Sequence, residues 1–171
     1  MPAWEAALRA IFLSICQMLD RFTVALCALA CAVLTVAVLG MVILRFGFDT
    51  GFIQLQNLAG YAFAILMILS LPFCLRRGGH VRVEVLSERL PGRYLRIADS
   101  VALVAFLIPV FGLLAWAWMP DLIYSWSIRE GAIETGGLGG IYLVKTAIPL
   151  SGVLMILQGI AVLIDPELVR T

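Results

Sequence analysis

The chain has 171 residues, 63% of them hydrophobic and only 13% charged, with a formal net charge of +1; a soluble domain has about 45–50% and about 25%. So small a charge, with no basic tail, excludes a nucleic-acid binder. Four runs without any charged residue (Phe22–Leu44, Thr50–Leu75, Ser100–Pro120 and Thr146–Ile164) leave almost nothing for a soluble domain. A bilayer core about 30 Å thick takes roughly 20 apolar helical residues, and barrel strands would alternate where these runs are continuous. The fold class predicted is an all-α membrane protein in one membrane domain, 1–171: four transmembrane helices behind an N-terminal interfacial amphipathic helix.

Residues 3–20 form that first helix. Glu5, Arg9, Gln17 and Asp20 gather on one side, and Trp4, Leu8, Ile11, Phe12, Ile15 and Leu19 cover the rest. Such a helix lies in the membrane interface, with Trp4 near the headgroups. A cleaved signal peptide is the rival reading. Against it stand the short apolar core, the lack of a basic residue before Trp4, and the interruption at Asp20-Arg21. The spans follow at about 22–44, 52–75, 97–119 and 141–164, with a loop at 76–96.

Basic residues set the orientation. Arg76, Arg77, Arg82, Arg89, Arg93 and Arg96 crowd the 76–96 loop, and Arg9, Arg21 and Arg170 fall on the same side of the membrane. Only Arg45, Arg129 and Lys145 fall on the other. The positive-inside rule places both termini and the 76–96 loop in the cytoplasm. Within that loop, His80 to Val85 alternates like a strand, yet a lone strand has no pairing partner. Val83, Leu86 and Leu90 also keep helical spacing, and Pro91-Gly92 ends the run. A surface helix with its arginines toward anionic headgroups and a docking surface for another subunit both fit.

Pro109 predicts a kink in the third span near Ala105–Pro109. Pro149, Gly152 and Gly159 mark the fourth, the glycines as places of close helix approach. The glycine-rich 131–140 stretch is a turn region, without the Gly-Lys-Ser/Thr end of a phosphate loop and with no strand before it.

The chain offers little chemistry. Cys16, Cys27, Cys31 and Cys74 form no Cys-x-x-Cys pair, and His80 is the single histidine. Neither haem ligands within the spans nor metal-ligand spacing is present, so no cofactor and no enzyme are expected. Buried carboxylates, interrupted helices and matching halves, the marks of an ion-driven transport path, are also missing. Asp99 sits one turn into the third span, where it reaches water or Arg96. Lys145 sits near an edge and can snorkel. Gln54, Gln56, Asn57 and Gln158 suit interhelical hydrogen bonds of about 0.6–2 kcal/mol. Taken by itself, the chain reads as scaffold.

The run Leu75-Arg76-Arg77-Gly78-Gly79-His80-Val81-Arg82-Val83-Glu84-Val85-Leu86, followed by Arg89-Leu90-Pro91, resembles the small permease subunit of tripartite ATP-independent periplasmic (TRAP) transporters. That family often shows Gly-x-His-hydrophobic-Arg-Val-Asp-Val-Leu in the loop after span two. A second signature is similar too: Glu134-Thr135-Gly136-Gly137-Leu138, Lys145, Ile148-Pro149-Leu150 and Leu157-Gln158-Gly159. Glu84 stands where the family more often has Asp. Gln54, Leu55, Gln56 and Asn57 stand where it usually has one or two glutamates, so a role needing a carboxylate there does not carry over.

The resemblance implies a bacterial inner-membrane protein, embedded in the phospholipid bilayer, with two protein partners. One is a large polytopic subunit that carries the substrate and sodium sites; the other is a periplasmic substrate-binding protein that delivers an organic acid. This chain would be the stationary frame. Arg76, Arg77, Gly79, His80, Arg82, Glu84, Glu134, Lys145 and Gln158 are then candidates for subunit or membrane contacts. The outward loop, with Asp121, Arg129, Glu130 and Glu134, would either help dock the binding protein or be simply solvated. The alternatives are a stand-alone channel or exporter, for which Thr35, Ser70 and Gln158 make too thin a polar stripe, and a membrane-anchored enzyme subunit. Replacing Arg76 and Arg77 together by Glu should give inverted or mixed orientation in a cysteine-labelling assay; uniform native orientation would refute the charge argument.

Overall fold

The computed structural model describes residues 3–77 and 92–164. In chain order the helices are α1 (Ala3–Phe48), α2 (Ile53–Arg76), α3 (Gly92–Ala102), a π-helical turn (Leu103–Leu107), α4 (Ile108–Ser127) and α5 (Ile141–Ile164). Four stretches are long and apolar enough to cross a membrane: Ala7–Phe48, Ile53–Arg76, Ser100–Ser127 and Ile141–Ile164.

The helices stand in a row rather than a closed ring. α1 packs along α2, α2 also packs on α5, and α5 packs on α4, while α1 meets α5 more briefly. The inward seam of α1 runs Cys16, Asp20, Thr23, Cys27, Ala30, Leu34 and Ala37, each buried or half-buried. Steps of alternately four and three residues average 3.5, the repeat that keeps one seam facing a neighbouring helix. α5 is the most enclosed helix, burying Ala147, Ser151, Gly152, Leu154, Met155, Gln158, Gly159 and Ala161 among others. Small residues there let backbones approach. A Cβ on Gly159 would lie 2.5 Å from Leu103 Cδ1 and 3.6 Å from both methyl carbons of Leu107. One on Gly152 would lie 3.4 Å from the Phe111 carbonyl. Close contact substitutes for the hydrophobic effect, which lipid-immersed helices lack between themselves.

Three expectations change. The 3–20 helix is not separate, because α1 continues without a break for 46 residues. No Gly or Pro lies between Ala3 and Leu39, and Asp20, which looked like an interruption, finds partners on α2. The third span does not stop at 119: α4 carries on through Pro120 and Asp121 to Ser127. Asp121 also has an ionic partner, and the residues beyond it (Leu122, Ile123, Tyr124, Trp126) are apolar. The loop between α4 and α5 therefore shortens to 128–140. Around Pro109 the irregularity takes the form of a π-helical turn, with the Ile108 N–H bonded five residues back to the Leu103 carbonyl. A proline ring clashes with the carbonyl four residues before it, here Ala105, and a wider turn relieves that clash. α5, the helix that holds the charge-free run 146–164, covers Ile141–Ile164. The motif residues 78–91 lie outside the described residues.

Gly159→Val should destabilise the purified chain by about 1–3 kcal/mol through overpacking against Leu103, read as a lower thermal midpoint in detergent. Gly112→Val should not, since nothing lies within 4 Å of a Cβ at Gly112; equal effects would show that the α4–α5 contact is not what holds the row.

Candidate functional site

Two polar clusters sit at opposite ends of the row. At the first, α2 ends in Arg76 and Arg77 beside the turn of α1 from Cys16 to Asp20. Asp20 faces both guanidiniums, at 3.9 Å from Arg76 Nε and 3.7 Å from Arg77 Nη1, with its side chain only 10% exposed. Arg77 also lies over the Phe73 ring, 3.9 Å from its centroid, a favourable cation–π position. The Cys16 carbonyl accepts from Arg76 Nη1 at 2.9 Å and from Gln158 Nε2 at 3.0 Å. One backbone oxygen thus joins α1 to both α2 and α5. Arg9 donates to the Ile164 carbonyl at the end of α5. Removing Asp20 would leave the Arg76 guanidinium, only 11% exposed, without its counter-charge, whereas Arg77, 48% exposed, is largely solvated.

The second cluster is built by the way α4 ends. Arg129 takes a left-handed conformation with φ 49°. Its N–H bonds to the Trp126 carbonyl at 3.3 Å, and the Glu130 N–H bonds to the Ser125 carbonyl at 3.0 Å. This is the Schellman pattern, with arginine where glycine is usual. The reversal turns the Glu130 carboxylate back onto the helix, where it accepts from the Ser125 hydroxyl and from Lys145 Nζ, the latter at 2.7 Å. Lys145 also pairs with Asp121 at 3.0 Å. Lys145 therefore does not snorkel, as expected from its position, but joins α4, the loop and α5. Its hydrogen bond, first, and that of Ser125 hold the Glu130 carboxyl below its ordinary value of 4.5.

The loop then crosses the end of the row to reach α2. Gln54 Nε2 donates to the Gly136 carbonyl at 2.7 Å, and the Tyr61 hydroxyl donates to the Leu138 carbonyl at 2.8 Å. Gly136 and Gly140 supply left-handed turns at φ 80° and 101°. A Cβ on Gly137 would sit 2.7 Å from Ala132 Cβ and 2.7 Å from Asn57 Nδ2, so only glycine fits.

Of the candidates, Arg76, Arg77 and Gln158 come together around α1. Gln158 is buried, 2% exposed, between α5 and α1. Lys145 and Glu134 share the other end without meeting: Glu134 is exposed, and its carbonyl accepts the Gly137 N–H at 2.9 Å. Gly79, His80, Arg82 and Glu84 lie outside the described residues. Cys16, Asp20, Tyr61 and Ser125 were missed as site residues. Only Asp20 carried a signal, a carboxylate next to an apolar run. Between the ends, the Thr35 and Ser70 hydroxyls bond carbonyls of their own helices, and the Ser151 hydroxyl ties α5 to the Ile68 carbonyl of α2 at 2.9 Å.

A family model described as tripartite ATP-independent periplasmic transporters, DctQ component, matches residues 34–167. The chain belongs to the DctQ family. It is therefore the small membrane component of a TRAP transporter, and a multi-pass membrane protein. Neither a curated protein nor a solved structure matches it. The DctQ match covers Arg76, Arg77, Gln158 and the whole second cluster, but begins at Leu34. The first half of α1, with Cys16 and Asp20, is this chain's contribution to its first cluster from outside the matched region.

The Glu130 clamp has a pH signature. A carboxyl depressed in the folded state stabilises fully above its unfolded value near 4.5 and loses that contribution as pH falls below it. Amide exchange over 131–140 should stay slow from neutral pH to about 5 and accelerate, relative to the intrinsic rate, below 4.5. Glu130→Gln should make exchange faster throughout and remove the step; an unaltered step would assign it to another acid.

Proposed function

We propose that this DctQ chain is the stationary scaffold of a secondary-active transporter, against which the large polytopic subunit moves while importing an organic acid by sodium symport. A periplasmic substrate-binding protein supplies the substrate. Both termini and the 76–96 segment face the cytoplasm of a bacterial inner membrane, and the 128–140 loop faces the periplasm. The first half of α1 rests in the cytoplasmic interface, its apolar face (Trp4, Leu8, Ile11, Ile15) exposed to lipid.

One observation carries the scaffold role. Among the described residues, the ion pairs join Asp20 of α1 to Arg76 and Arg77 at the end of α2, and Lys145 of α5 to Asp121 and Glu130 at the end of α4. No charged residue falls within 22–44, 53–75, 100–120 or 146–164, and Gln158, 2% exposed, braces α5 to α1. An ion or anionic substrate crossing this chain would meet no counter-charge. The same arrangement disfavours a stand-alone channel, since Thr35 and Ser70 bond within their own helices.

The test uses the complete transporter in proteoliposomes. Uptake of its organic acid should require an inward sodium gradient. A disulfide between cysteines placed at Ile68 and Ser151, locking α2 to α5, should leave that uptake unchanged. Loss of uptake with the complex still assembled would show that these helices slide past one another, and that the chain is no fixed frame.

A further inference from the structure

We draw no further inference here: the strongest candidate, the buried side chain of Gln158 in the polar cluster between α1, α2 and α5, belongs to the site already described, and its Oε1, which accepts from no donor among the described residues, is too fully enclosed for a ligand to reach.

Discussion

A bilayer core about 30 Å thick cannot solvate charge, and the whole of this molecule is arranged around that constraint. Ionic and charge-assisted contacts are driven to the two ends, where they are shared among helices rather than left to water. At one end Asp20, Arg76, Arg77 and Gln158 converge on a turn of α1; at the other Asp121, Glu130 and Lys145 bind α4, the loop and α5. With both ends braced, the middle has only contact to work with. Gly152 and Gly159 against α4 and the π-helical turn, and Ala30 and Ala37 in the α1 seam, allow backbones near enough for dispersion to act.

The spans were legible because charge exclusion is a local property, visible residue by residue. The charge-free run of α5 stood out, since Lys145 is the one ionisable residue near the start of the helix and Asp165 closes its end. What sequence could not show was compensation at a distance. Asp20 and Asp121 each looked like a boundary, yet α1 and α4 run straight through them, because Arg76 and Arg77 neutralise the first and Lys145 the second. Gly152 and Gly159 were recognisable as contact points from composition. The hydrogen-bond duties of Tyr61, Ser125 and the Cys16 carbonyl were not, since each depends on a residue more than a turn away or on another helix. Pro109 marked its irregularity, though not that the chain would widen there into a π turn.

The amides at the start of α2 acquire a meaning that their departure from the family's usual glutamates did not suggest. Gln54 donates to a carbonyl of the glycine loop. An ionised carboxylate has no proton to give and would repel that oxygen. In this chain the loop is therefore held by donors facing carbonyls. An acid at this position would need a different partner, a cation or a backbone N–H, to do the same. A substitution that reads as loss of charge is, locally, a change of hydrogen-bond polarity.

The unbroken first helix has a consequence for the surrounding membrane. Forty-six residues at about 1.5 Å each make a rod of roughly 70 Å, more than twice the thickness of the hydrocarbon core. Arg9 fastens this rod to the tip of α5, and Asp20 fastens it to the tip of α2. Held at both points, its first half keeps its place against the ends of α2 and α5. An apolar helix longer than the core is accommodated by tilting or curving, and either course widens its footprint in the plane of the bilayer. Lipid beside α1 then meets a longer apolar wall than any other described helix of the chain presents.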